Sequence, residues 1–129
     1  MSWIVAIADK IASEGLGTGG TDLFIGFQPP HASLQSLLTE YTGDVMETQS
    51  EGVAIYKSSL QVMTCGEPED YATPRTRIGA IYDALVAITD ETISGVRFLR
   101  VRPVGTINSL GQNDNQAFEF TANFEVVHE

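Results

Sequence analysis

The sequence has little of three things: cysteine, positive charge and long apolar runs. It contains one cysteine, Cys65, so no disulfide framework can form within the chain. Its longest unbroken apolar run, Trp3 to Ala8, has six residues, whereas a helix needs ~20 to span a bilayer. We therefore expect no membrane span and a fold that depends on its core rather than on covalent links.

Positive charge is scarce. Seven Lys and Arg residues stand against seventeen Asp and Glu, which leaves a formal net charge of −10. Such a surface repels polyanions, whereas tight nucleic-acid binders neutralise phosphates with clustered cations. Specific DNA or RNA binding is therefore not expected. The one local cluster of cations consists of Arg97, Arg100 and Arg102.

Hydrophobic side chains, by contrast, are present in ordinary amount. They make up 43% of the 129 residues, a proportion typical of a folded domain that forms a core without metal or disulfide. No internal repeat or linker divides the chain. We predict a single domain over residues 1–129.

Two segments show helical periodicity. Apolar residues recur at i, i+3, i+4 and i+7 over 3–13, which predicts an amphipathic helix with Ser2 as its cap and Gly15 at its end. The second helix is expected to begin with Thr73 as cap and Pro74 as its first residue, and to run to about residue 88.

Period-two patterns predict the strands. The clearest is at the end of the chain, where Phe118, Phe120 and Phe124 alternate with polar residues. The other predicted strands cover 22–27, 34–42, two segments either side of 57–59, and 96–104. Helices and strands in this order indicate an α+β domain, with two helices packed on a mostly antiparallel sheet.

Two polar stretches are predicted as loops. Residues 43–52 are bounded by glycines, carry Asp44, Glu47 and Glu51, and show neither period, so we expect an exposed acidic loop or hairpin tip. The stretch 105–116 is also expected to be a loop. Between them, alternation along 96–104 places Arg97 on one face of its strand and Arg100 and Arg102 on the other.

No set of residues predicts catalysis, a metal site or a cofactor. The glycines of GLGTGG follow a helix, whereas a phosphate-binding loop precedes one. His31 and His128 have no metal-ligand spacing with Cys65, and exposed or locally hydrogen-bonded histidines are expected. Nothing nominates a partner that would activate the thiol of Cys65. We predict that the protein is not an enzyme.

Three segments carry a resemblance to a known family. In chain order they are GLGTGGTDLFIGF (15–27), RIGAIYDALVAI (77–88) and SGVRFLRVRPVGTINSLGQNDNQAFEFTANFEV (94–126). In order and approximate spacing they resemble the minor capsid or tail terminator family of long-tailed bacteriophages. The middle of the chain, 28–52, matches less closely.

The resemblance implies a virion structural protein of the tail neck, assembled in the cytoplasm of a bacterial host. It implies a hexameric ring that caps the tail tube protein, ends tube polymerisation and offers a docking face to the head-to-tail connector or head-completion protein. DNA would pass through this ring without specific binding. Two alternatives remain open: a head-completion or other neck adaptor protein, and a small ligand-binding or hydrolase domain.

Such a ring needs unlike, complementary patches on each subunit. We therefore predict that Arg97, Arg100 and Arg102 contribute to the subunit interface. We also predict that the acidic residues Asp44, Glu47 and Glu51 face the lumen or the tube.

Overall fold

The computed structural model describes residues 2–27, 33–50 and 52–129. For residues 42–50 the description concerns the backbone. The elements along the chain are α1 (Trp3–Ser13), β1 (Leu23–Ile25), β2 (Gln35–Ser50), β3 (Val53–Cys65), α2 (Ala72–Val86), β4 (Thr89–Ile93), β5 (Val96–Gln112) and β6 (Phe118–His128).

The six strands form one mixed sheet in the order β1-β2-β3-β6-β5-β4. The β1–β2 pair is parallel. The pairs β2–β3, β3–β6, β6–β5 and β5–β4 are antiparallel. The predicted α+β class, with two helices and one sheet, is confirmed.

The two faces of the sheet differ. Phe120, Ala122, Phe124 and Val126 of β6 are buried in one core with the apolar residues of both helices; we call this side the helix face. The other side carries the alternate residues of β6, such as Asn123 and Glu125, and contributes nothing to that core; we call it the open face. The alternation along β6 therefore predicted correctly which side chains form the core.

Helix α1 occupies the predicted residues. Ile4, Ile7 and Ile11 are buried along one side. At its end, Gly15 has φ 74°, and the N–H of Leu16 donates to the carbonyl of Ile11. Glycine favours this left-handed conformation because it has no Cβ, which explains why the helix ends here.

Helix α2 begins earlier than predicted. Its first residue is Ala72, so Thr73 is not the cap and Pro74 is the third helical residue. The Asp70 carboxylate accepts the N–H of Thr73 at 3.1 Å. Proline fits here because N–H groups in the first turn have no partner within the helix.

Of the two alternatives predicted for 43–52, the hairpin tip is confirmed, whereas a loop over most of the segment was wrong. Residues 43–50 belong to β2, which pairs with β3 as far as Ser50 opposite Val53, so this is the far end of a hairpin. Three register shifts interrupt β2 and obscure its alternation. Strand β3 is likewise one continuous strand rather than two.

The polar stretch after Val104 is also mostly strand. Strand β5 continues to Gln112, with register shifts against β6 between Val104 and Asn108 and between Ser109 and Gly111. Gly105 has φ 79°, a value that a bulge in a strand can require. Bulges and polar composition together explain why the pattern predicted a loop.

Candidate assembly surface

The three arginines of β5 lie on one face of the sheet. Phe98 pairs with His128 and Arg100 pairs with Val127, so Leu99 is an extra residue opposite β6, a β-bulge. The bulge shifts the alternation by one residue, so that Arg97 shares a face with the two arginines that follow.

The expectation that Arg97 faces away from Arg100 and Arg102 was therefore wrong. All three are exposed, while Phe98 and Val101 between them are buried on the helix face. We call Arg97, Arg100 and Arg102 on the open face the arginine row.

Arg97 is held by two carboxylates of its own chain. Its Nε donates to Asp90 Oδ1 at 2.8 Å, and its Nη1 donates to Glu129 Oε1 at 3.0 Å. The bond to Asp90 and then the one to Glu129 raise the pKa of the Arg97 guanidinium. The same contact lowers the pKa of Asp90. Arg97 and these two carboxylates therefore balance much of one another's charge within the chain.

The other two arginines have more capacity for a partner. Arg102 uses Nη2 to contact Glu125 Oε1 at 2.7 Å, and a guanidinium has five N–H donors. Within the part of the chain that the structure describes, Arg100 makes no ion pair and no side-chain hydrogen bond. The arginine row therefore has N–H donors left for carboxylates outside the chain.

The acidic segment lies at the opposite side of the sheet. Strand β1 pairs with β2 only from Ser36 to Leu38. From Thr39 to Ser50, the edge of β2 that points away from β3 faces no described strand. We call this edge, which includes Glu40, Asp44 and Glu47, the β2 margin. Glu51, which follows it, lies outside the described residues.

The arginine row and the β2 margin are separate patches. Strands β3 and β6 lie between β2 and β5 in the sheet. Three strand spacings amount to about 14 Å. The arginine row and the β2 margin therefore lie on opposite sides of one sheet.

His128 of β6 and Ser58 of β3 form a buried hydrogen-bonded pair. His128 is 5% exposed, and its Nδ1 lies 3.1 Å from the main-chain oxygen of Glu129. An oxygen there can only accept, so Nδ1 carries the proton and Nε2 accepts from Ser58 Oγ, 2.9 Å away. Ser58 is 1% exposed, so this Ser–His pair lies out of reach of a substrate in this conformation. The expected local hydrogen bonding of His128 is confirmed, and His31 lies outside the described residues.

A surface cleft of about 350 Å³ lies beside α2, lined by residues that include Leu16, Leu34 and Arg77. The guanidinium of Arg77 already has partners, because its Nη1 donates to the Leu16 carbonyl at 2.7 Å and lies 3.7 Å from Asp22.

Over the described ranges, no three His, Cys, Asp or Glu residues are grouped to hold a metal ion. No described helix is long and apolar enough to cross a membrane.

Two comparisons with known proteins find no match, either to a family model or to a curated protein. Solved structures do share the fold. A chain of the virion of the native gene transfer agent (GTA) particle has a TM-score of 0.69 and 16% identity, and the match covers 97% of this chain and 92% of that chain. A second solved chain has a TM-score of 0.53 and 19% identity, over 98% and 96% of the two chains. At these identities the likeness is one of fold.

Proposed function

We propose that this chain is a virion structural protein that acts as a tail terminator. The observation that carries the proposal is the fold it shares, over nearly the whole length of both chains, with a chain of the gene transfer agent virion. The three sequence segments that resemble the tail terminator family support the same proposal.

The proposed working form is a hexameric ring at the head-proximal end of the tail tube. The ring stops tube polymerisation and offers its other side to the head-side connector, while DNA passes through without specific contacts. The net charge of −10 per chain supports this part of the proposal, because fixed negative charge gives phosphates no cations to bind.

Within the ring, the arginine row contributes to the subunit interface. Asp44, Glu47 and Glu51 lie where the wall of the ring meets the lumen or the tube. The protein works by shape and contact, changes no covalent bond and uses no cofactor.

The test combines a mass measurement with a tube assay. Light scattering and electron microscopy of the purified chain are expected to show rings with a mass near six times 14.0 kDa, alone or after tail tube protein is added. Tubes grown with the chain are expected to be shorter and capped at one end. A suitable control is the variant Phe124→Asp, which places a charge in the core and so has nearly the same composition without the fold.

A chain that neither forms a ring nor limits tube length contradicts the proposal. Imaging of labelled particles separates the terminator from its alternative, a head-completion or other neck adaptor protein. The label is expected at the junction with the tube, and a label at the portal side alone favours the adaptor.

A further inference from the structure

Phe27 is the most exposed large apolar side chain in the described part of the chain. Its exposed fraction is 71%, against 40% for Ile25 two residues before it. Between them, Gly26 has φ 74° and donates its N–H to the Leu38 carbonyl at 2.8 Å. Because glycine readily adopts this left-handed conformation, the chain leaves the line of β1 here. Phe27 therefore follows the edge strand of the sheet and has no place in the core.

The sequence around Phe27 carries no charge. No Lys, Arg, Asp or Glu occurs between Asp22 and Glu40, which is the longest such stretch in the chain. Each copy has a net charge of −10, so two copies repel each other at long range. An uncharged stretch with an exposed aromatic ring is the part of a subunit where a second copy meets the least repulsion, and exposed apolar side chains mark contact surfaces.

The cleft beside α2 has room for an aromatic ring. Its volume is about 350 Å³, and its lining is mainly apolar, with Leu16, Leu34 and Ala80 among the residues. An apolar cavity of about 150 Å³ is large enough for benzene, so this cleft can hold the side chain of a phenylalanine. Phe27 of the same chain does not fill it, because its ring is largely exposed.

Hydrogen bonds fix one wall of this cleft. Arg77 of α2 donates from Nη1 to the Leu16 carbonyl at 2.7 Å, which ties the loop after α1 to α2. In the same loop, the N–H of Thr18 donates to Asp22 Oδ1 at 2.6 Å, and Asp22 lies 3.7 Å from Arg77. The cleft is therefore formed before anything enters it, and a preformed site binds without the cost of ordering its walls.

We propose that Phe27 of one subunit inserts into this cleft of a second copy of the chain. The inference rests on the proposed ring and names a contact that holds it together. The two patches are unlike, since Phe27 follows the edge strand β1 and the cleft lies beside α2 on the helix face. Unlike patches join head to tail, and such contacts close into a ring when the rotation between neighbours allows it.

The variant Phe27→Ala tests the inserted side chain. We expect it to raise the dissociation constant of the assembly, measured by sedimentation velocity, by about tenfold to a hundredfold, because burial of a phenylalanine side chain contributes that much to binding. Leu110→Ala is the matched control. It truncates another exposed apolar side chain, on β5 and outside the lining of the cleft, and is expected to assemble like the wild type.

The variant Ala80→Phe tests the cleft. A phenylalanine at this half-buried position of α2 occupies the space that Phe27 would enter, so a similar loss of assembly is expected. Ala87→Phe makes the same change at an exposed position that ends α2 outside the cleft, and should assemble like the wild type. Thermal unfolding by circular dichroism checks that the variants fold. Thr76→Phe, at an exposed lining position, repeats the test if Ala80→Phe does not fold.

Mixing the two variants is the decisive step. Phe27→Ala keeps an open cleft, and Ala80→Phe keeps its Phe27, so an equimolar mixture can form one kind of contact only. We expect a 1:1 pair with a mass near twice 14.0 kDa by native mass spectrometry. The pair should not grow into a ring, because its remaining patches are the altered ones. Each variant by itself should stay monomeric at the same concentration.

The outcomes separate this contact from the tail terminator proposal. Where rings form only on tail tubes, tube length replaces sedimentation as the measurement for every variant. If Phe27→Ala or a folded cleft variant assembles like the wild type, the contact is wrong and the terminator proposal stands. Variants that form normal rings but no longer cap tubes also overturn the contact. A wild-type chain that neither assembles nor shortens tubes overturns both.

Discussion

The indole of Trp3 and the imidazole of His128 are stacked, with ring centres 5.6 Å apart and planes inclined by 27°. Tyr56 lies against the same imidazole at 5.9 Å. The contact joins the first turn of α1 to the end of β6 and to β3, elements that are far apart in the chain. The hydroxyl of Ser58 hydrogen-bonds Nε2 of the same imidazole.

Removing the indole is therefore expected to loosen α1 from the sheet. Trp3 is 5% exposed, and replacing a buried tryptophan by alanine lowers the free energy of unfolding by about 3–5 kcal/mol. For Trp3→Ala we expect a loss of free energy of unfolding in that range. Urea unfolding is followed by far-UV circular dichroism, because the variant has no tryptophan left to report by fluorescence. Leu110→Ala, at an exposed leucine, should stay within about 0.5 kcal/mol of the wild type; equal losses in the two variants would contradict this role of the indole.

The Asp90–Arg97 contact predicts a small pH-dependent contribution to stability. Its hydrogen bond and charge attraction lower the pKa of Asp90 below the ordinary value of 3.8. The contribution is therefore present above about pH 4 and is lost as the pH falls through the lowered pKa. Both side chains are exposed, so the effect is small.

Asp90→Asn removes the charge and keeps the shape, and asparagine tolerates the φ of 45° at this position. We expect a lower urea midpoint for this variant at pH 7 and a smaller difference at pH 3. Asp114→Asn, at an exposed turn residue without an ion pair among the described side chains, is the control. A difference for Asp90→Asn that stays constant with pH would count against the ion pair.

The β4–β5 turn depends on a glycine. Ser94 and Gly95 have φ values of 50° and 84°, the pattern of a type I′ turn, which suits the twist of a two-residue hairpin. Gly95→Ala is expected to lower the free energy of unfolding by about 1–2 kcal/mol because of the left-handed backbone. Gly19→Ala, where a Cβ meets nothing within 4 Å and φ is not in that region, should change stability far less; thermal unfolding measures both.

We expect Arg100→Glu to raise the dissociation constant of the assembly, and we expect added salt to make this effect smaller. Charge interactions reach about 10 Å at 0.1 M salt and about 3 Å at 1 M. The ratio of the two dissociation constants, measured by sedimentation, should therefore fall as NaCl rises from 0.1 M to 1 M. The ratio is more informative than either constant, because salt also relieves the repulsion between subunits of net charge −10. A ratio independent of salt would mean that the arginine acts through packing rather than charge.

Elements with a strong local pattern were predictable. Helix α1 and strand β6 each place apolar residues at one regular period, so their bounds and buried faces follow from the chain itself. Strands β2 and β5 were only half predicted. Their far ends are polar and bulged, and they stay extended because a neighbouring strand supplies hydrogen bonds that a local pattern does not contain.

The arginine row also depends on pairing between strands that the local pattern does not contain. Strict alternation separates Arg97 from Arg100, whereas the extra residue Leu99 unites them on one face. A bulge is set by register against the partner strand, and that register depends on the packing of Phe98 and Val101 into the core.

The amino-acid sequence by itself determined the fold class, the two helices, the apolar face of β6 and the scarcity of positive charge, because composition and periodicity are local properties of a chain. Tertiary structure alone decided which strands continue through their polar ends, which face the arginines share, and that the arginine row and the β2 margin lie on opposite sides of one sheet. Those features depend on pairing and register between segments distant in the chain, and each is settled by the free energy of the whole core rather than by any one segment.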